Sequence, residues 1–219
     1  YTSREQKNKK ETYFYFSVLI VTLVAVLLTF SRSALFMLAF GGSILLVLLN
    51  KKKVILVGLA IFIIYVIVVS PRFYIENTNL FRVASTEARL ESYKNAFAIY
   101  QSNPILGVGF NAYRYAQQDY GYRSENPKYP SNADAGVDNS FLFVLATSGI
   151  IGFAAFLTMW GSLLRTIVMQ YKKEKGVFTA IFIASTFGLF LNAFFINSLF
   201  FPVILLWMWT FYSLVKVGK

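Results

Sequence analysis

The sequence predicts an all-α polytopic membrane protein with about six transmembrane helices and one large extracytoplasmic loop that contains short amphipathic helices. Of its 219 residues 57% are hydrophobic and only 14% are charged, and the mean hydropathy is +0.56. The apolar residues form long blocks instead of one face of each element, which is typical of membrane spans. We divide the chain into a tail with three spans (1–70), the loop (71–139) and a surface helix with three spans (140–219).

Three apolar runs precede the loop, at residues 13–30, 34–49 and 54–69. The first run has about 18 residues, which at about 1.5 Å per residue nearly crosses a hydrocarbon layer of about 30 Å. Charged or polar clusters end the first two runs, and Ser70-Pro71 closes the third. Gly41 and Gly42 in the second run predict close packing by a neighbouring helix.

Three further spans are expected after the loop. Residues 140–170 form an apolar run that would be about 46 Å long as a continuous helix, which is longer than one upright span needs. We therefore predict a break near Ser148-Gly149, with a short surface helix before it and a span over 150–170. The last two spans are predicted at 177–195 and 202–215, with a tight turn around Asn197-Ser198.

The net charge of +11 is explained by topology. Six alternating spans place most of the basic residues on one side: Arg4, Lys7, Lys9, Lys10, Lys51, Lys52, Lys53, Arg165, Lys172, Lys173, Lys175, Lys216 and Lys219. By the positive-inside rule that side is the cytoplasm, where both ends of the chain are expected, and nucleic acid is not an expected partner. Because the chain opens at Tyr1 and not at Met, we expect it to be the C-terminal part of a larger protein.

The basic residues predicted on the outer side of the membrane are mostly arginines, and this choice of residue favours phosphate binding. Six of the eight arginines are predicted on the outer side, which insertion disfavours for positive charge. Arginine binds phosphate through two N–H groups at once, which a lysine cannot do. The chain has no cysteine and no histidine, so a thiolate site and the commonest general base and metal ligand are excluded.

Two helices are predicted within the loop. Residues 85–101 show an amphipathic pattern, with Leu90, Tyr93, Phe97 and Tyr100 on one face, and Asn103-Pro104 ends the helix. A second short helix is expected at 112–118. Residues 120–132 are rich in Tyr, Pro, Asn and Gly and are expected to form irregular loop.

Three stretches of the sequence together form a recognisable pattern. They are Thr29-Phe30-Ser31-Arg32-Ser33; Glu87-Ala88-Arg89 leading to the Asn103-to-Asn111 stretch NPILGVGFN; and Asp138-Asn139-Ser140-Phe141-Leu142 leading to the Ser148-to-Phe153 stretch SGIIGF. In this order they resemble the signature stretches of the O-antigen ligase and O-antigen polymerase superfamily, and the resemblance covers residues 13–195. It implies a bacterial inner-membrane glycosyltransferase that takes a glycan from undecaprenyl diphosphate on the outer face, with the bilayer, a chain-length regulator and a flippase as partners.

The resemblance also implies roles for individual residues. Arg32 and Arg89 would neutralise the departing diphosphate, and Asp138 would position the acceptor hydroxyl, so these three are the predicted catalytic residues. Arg82, Arg114 and Asn139 are the further predicted substrate-binding residues. Family ligases usually have His-Asn where this chain has Asp138-Asn139, so we favour the polymerase branch, with an inverting reaction and without a metal or other cofactor; transfer to another acceptor remains the alternative.

Each role has a structural alternative. Arg32 could reach interfacial water from a helix end, and Arg89 could be a solvated residue of its helix. Arg82 and Arg114 could form salt bridges within the loop. Asp138 could cap the helix that begins here, or share a divalent cation with Asp134. A transporter or flippase subunit is the alternative from another functional class, although the predicted spans have no acidic residue or lysine at their centres.

Overall fold

The computed structural model describes residues 2–69, 84–123 and 136–217, and these ranges contain helices and no strand. The helices are α1 (Thr2–Leu28), α2 (Arg32–Leu48), α3 (Lys52–Val69), α4 (Ala84–Ser102), α5 (Tyr113–Asp119), α6 (Ser140–Glu174), α7 (Val177–Ala193), a 3-10 turn (Ser198–Phe200) and α8 (Pro202–Val217). Helices α1, α2, α3, α6, α7 and α8 coincide with the six predicted apolar runs.

Two apolar helices in the described ranges have the length and composition to cross a membrane, Lys9–Leu28 and Ser140–Glu174. The other apolar helices are shorter: Arg32–Leu48, Lys53–Ile64, Val177–Ala193 and Pro202–Lys216. A helix of 17 residues is about 26 Å long, somewhat less than a typical hydrocarbon layer. The all-helical class and the membrane-type helices are therefore confirmed, and the number of six spans stays a prediction.

Helices α2 and α7 form the most extensive packing contact of the bundle. They approach closely at two glycines, because the Cα atoms of Gly41 and Gly188 lie near each other without side chains between them. A Cβ on Gly41 would meet the Ala184 carbonyl oxygen at 3.1 Å, whereas a Cβ on Gly42 would meet nothing within 4 Å. Of the two predicted contact glycines, Gly41 makes the close contact.

The lysine-bearing ends of three helices meet at the end of the bundle opposite α4. The Tyr171 hydroxyl donates a hydrogen bond to the Leu48 carbonyl oxygen, which joins α6 to the end of α2. The Gln170 amide donates to the Val215 carbonyl oxygen at 3.0 Å, which joins α6 to α8. The ends of α2, α6 and α8 that carry or precede lysines are therefore neighbours, and their predicted position on the cytoplasmic side stays a prediction.

The predicted break in the long apolar run occurs at Gly149, which has φ 62° and ψ −167° within α6. The backbone groups near this kink pair with residues 104–109. The Val108 and Gly109 N–H groups donate to the carbonyls of Ala146 and Thr147 at 3.0 and 2.8 Å, and the Ile150 N–H donates to Pro104 at 2.9 Å. We call this contact between residues 104–109 and 146–151 the kink joint.

The described part of the loop packs onto the first section of α6 and has its own small core. Its buried residues are Ala96, Ile99, Tyr113, Ala116, Val137, Phe143 and Ala146. The two loop helices lie where the sequence predicts them, but the predicted apolar face of α4 is correct only for Tyr93 and Tyr100, which pack against this core. Leu90 and Phe97 are 53% and 47% exposed, and Ala96 and Ile99 are buried in their place.

Candidate functional site

A pocket of about 290 Å³ lies where α2 begins, α7 ends and α4 crosses them. Its lining residues are Arg32, Ser33, Phe36, Thr86, Arg89, Leu90, Tyr93 and Phe195. We call it the two-arginine pocket. It combines two permanently charged guanidinium groups with apolar walls, and low-polarity walls strengthen the interaction of such cations with a bound anion.

The start of α2 holds Arg32 at the pocket. Phe30 has a positive φ of 49°, which turns the chain after α1, and Ser31 is the N-cap of α2. The Ser31 hydroxyl accepts a hydrogen bond from the Ala34 N–H at 3.4 Å and contacts the Ser33 hydroxyl at 3.3 Å. Arg32 is the first residue of the helix and is half-buried, so its side chain starts from an ordered helix end.

Arg89 and Tyr93 lie one turn apart on α4 and both line the pocket. The Tyr93 hydroxyl is in hydrogen-bonding distance of two backbone carbonyls, that of Asp138 at 3.1 Å and that of Phe194. Burial raises the pKa of Tyr93; the positive charge of Arg89 opposes this shift and the negative charge of Asp138 adds to it. Both charges are therefore close enough to act on the same hydroxyl.

Asp138 is exposed and lies one residue before the N-cap of α6. The cap is Asn139, whose side-chain oxygen accepts hydrogen bonds from the N–H groups of Phe141 and Leu142 at 2.9 and 3.0 Å. The interpretation of Asp138 as the helix cap is therefore wrong, since its neighbour satisfies those N–H groups. Asn139 is only 6% exposed, and its role in substrate binding stays a prediction.

Of the other arginines predicted to bind substrate, the structure describes Arg114 only. Arg114 lies on α5, where its guanidinium donates to the Tyr115 hydroxyl at 2.7 Å, and it does not line the two-arginine pocket. Arg82 and Asp134 lie outside the described residues, so their predicted roles in substrate and cation binding are not tested. Within 2–69, 84–123 and 136–217, no three acidic residues cluster as a metal site would require.

Sequence reasoning missed Tyr93 as a site residue, because it assigned this side chain to the apolar face of α4. The available signal was its position one helical turn after Arg89, which places both on one side of the helix. Phe195 was also missed, and its ring stacks on Phe36 with 6.5 Å between centroids. Only the fold brings these two phenylalanines together, since they lie on α2 and after α7.

A family model described as O-antigen ligase matches residues 17–157, from the second half of α1 to the first half of α6. No curated protein and no solved structure matches the chain.

Proposed function

The chain belongs to the O-antigen ligase family, and from this premise we propose that it is a membrane glycosyltransferase that polymerises undecaprenyl-diphosphate-linked oligosaccharide units into surface polysaccharide. Family membership gives the membrane context and a lipid-linked glycan as the class of substrate. The diphosphate carrier and the polymerase reaction are our own assignments. We place the reaction on the outer face of the bacterial inner membrane.

The single observation that carries the proposal is that Arg32 and Arg89 line one pocket. They are distant in the sequence and come from different helices, yet both residues line the same space. A leaving diphosphate gains negative charge as its bond to the sugar breaks, and preorganised cations stabilise charge that develops in this way. The planar fork of each arginine can bind two phosphate oxygens at once.

In the proposed reaction, a hydroxyl oxygen of the acceptor glycan attacks the anomeric carbon of the donor glycan. The bond from that carbon to the diphosphate oxygen breaks, and undecaprenyl diphosphate leaves against Arg32 and Arg89. The hydroxyl proton passes to the Asp138 carboxylate and from there to water. Attack from the side opposite the leaving group inverts the anomeric configuration. The exposure of the carboxyl group leaves it accessible to an acceptor.

The test replaces each arginine by lysine, which keeps the charge and removes the fork. Membranes containing Arg32→Lys or Arg89→Lys protein are incubated with undecaprenyl-diphosphate oligosaccharide, and the ladder of longer glycans is measured by electrophoresis. We expect at least a tenfold loss of rate, because an oxyanion contact is worth about 10²–10³ in rate. Arg165→Lys, at an exposed position on α6, is the matched control and is expected to keep the parental rate. Parental rates in both pocket variants would refute the assignment.

The same assay separates polymerase from ligase activity. A polymerase forms a ladder from the lipid-linked glycan alone, whereas a ligase forms one product only when a second acceptor is supplied. A chelator added to a parallel reaction tests metal independence, which we expect because Arg32 and Arg89 would supply the positive charge. Loss of the ladder after chelation would contradict this expectation.

A further inference from the structure

The Tyr93 hydroxyl connects three elements around the two-arginine pocket. Tyr93 lies on α4, and its two hydrogen-bond acceptors are the carbonyl of Asp138, just before α6, and the carbonyl of Phe194, at the end of α7. The residue after Phe194 is Phe195, which lines the pocket. The Tyr93 side chain therefore links the helix that bears Arg89, the segment that bears Asp138 and one wall of the pocket.

The Asp138 carbonyl lies outside the hydrogen-bonding ladder of α6. The first carbonyl of that helix to accept a bond is Asn139, from the Phe143 N–H at 3.0 Å. The Asn139 cap fixes the helix start but does not bind the residue before it. The Tyr93 hydroxyl thus bonds the Asp138 backbone directly to α4, next to Val137, whose side chain is buried in the loop core.

The second acceptor is a carbonyl at a helix C-terminus. Such carbonyls have no intrahelical donor and need a partner from elsewhere in the fold. Phe194 is the C-cap of α7, and the Tyr93 hydroxyl supplies that partner. The hydroxyl has a single proton, which the two carbonyls share. Since this proton is directed at backbone oxygens, it is not available for transfer to a substrate.

On the basis of the proposed function, we propose that Tyr93 is a positioning residue, which acts by holding the Asp138 carboxylate at a fixed distance from the Arg89 guanidinium. It binds neither the donor nor the acceptor through its hydroxyl. Its ring forms part of the pocket wall, and its hydroxyl fixes the segment that bears the proposed acceptor-positioning group. Burial raises the pKa of Tyr93, which favours the protonated hydroxyl that a donor to two carbonyls requires.

The substitution that isolates this role is Tyr93→Phe, which keeps the ring and removes the hydroxyl. Tyr100→Phe is the matched control, since Tyr100 lies two turns further along α4 and packs against the loop core. The expected effect of Tyr93→Phe is a fall in kcat of about tenfold or more, with KM for the lipid-linked donor within twofold. A misplaced reacting group lowers the rate after binding, and a 1 Å error can cost about 10²-fold.

A measurement that does not depend on activity follows the geometry itself. The chain contains no cysteine, so two introduced cysteines can be spin-labelled selectively. Glu91→Cys places a label on an exposed position of α4, and Gly136→Cys places one just before Asp138, where a Cβ would meet nothing within 4 Å. The distance distribution between the labels is measured by pulsed electron paramagnetic resonance, with and without Tyr93→Phe and Tyr100→Phe.

We expect a broader or shifted distribution with Tyr93→Phe and the parental distribution with Tyr100→Phe. An unchanged distribution with Tyr93→Phe would overturn the proposal, and so would a changed distribution accompanied by a parental kcat. If the parental protein makes no polymer, the proposed polymerase function fails. The distance measurement then decides alone whether Tyr93 fixes the segment before α6.

Discussion

Gly149→Ala is the most informative perturbation of the fold, because no L-amino acid with a side chain fits the Gly149 backbone. Its φ of 62° and ψ of −167° lie in a region that is occupied essentially by glycine alone. A Cβ there would also lie 2.2 Å from the Ile105 carbonyl oxygen and 2.6 Å from the Leu106 nitrogen. The kink joint must therefore open, or α6 must straighten.

The expected cost has two parts. Backbone strain contributes about 1–3 kcal/mol. Moving residue 105 also breaks the hydrogen bonds from Ile150 to Pro104 and from Ile151 to Ile105, worth about 0.5–1.5 kcal/mol each. We expect a total destabilisation of about 2–6 kcal/mol, which corresponds to a fall in Tm of about 4 °C or more for a chain of this size.

Thermal unfolding in detergent, followed by the fluorescence of the three tryptophans, measures this effect. Gly161→Ala is the matched control, because Gly161 lies in the helical part of the same α6 and a Cβ there meets nothing within 4 Å. Alanine favours a helix over glycine by about 1 kcal/mol, so this variant should be neutral or slightly stabilised. Equal Tm values for the two variants would refute the steric argument for the kink joint.

Two further predictions concern packing and capping. Gly41→Leu should lower the free energy of unfolding by about 1–3 kcal/mol, because a side chain there meets the α7 backbone. In the same unfolding assay Gly42→Leu should lower it by less. A larger loss of stability in Gly42→Leu than in Gly41→Leu would be inconsistent with the α2–α7 contact. Asn139→Ala should cost about 1 kcal/mol through loss of the α6 cap, whereas Asn139→Ser should retain most of the stability. Equal stabilities of the Ala and Ser variants would contradict the capping role.

The helices could be predicted because their causes are local. Long apolar runs with polar interruptions predicted the ends of α2, α7 and α8 to within a few residues. A Ser-Gly pair inside an apolar run too long for one span indicated the kink at Gly149. The partner of the kink could not be predicted in the same way. Residues 104–109 reach it through backbone hydrogen bonds, and such bonds have no side-chain pattern that a sequence could reveal.

The candidate site was predictable only in part. Membrane insertion disfavours arginine on the outer side, and this argument together with the family resemblance indicated Arg32 and Arg89. Neither argument predicts that both residues line one pocket. The role of Tyr93 at the pocket was missed because an aromatic residue at helical spacing is typical of a buried face. Its hydroxyl has a role here that depends on two carbonyls from α7 and from the segment before α6.

Two sets of contacts position the site residues. The kink joint holds the segment after α4 against the first section of α6, on the side of Arg89 and Asp138. Arg32 depends on a different contact, because α2 packs mainly on α7. Opening the kink joint at Gly149 should therefore disturb Asp138 relative to Arg89, whereas separating α2 from α7 at Gly41 should disturb Arg32 relative to both. The Tyr93 hydroxyl contacts both the segment before α6 and the end of α7, so its loss should loosen the arrangement of these residues without unfolding the helices.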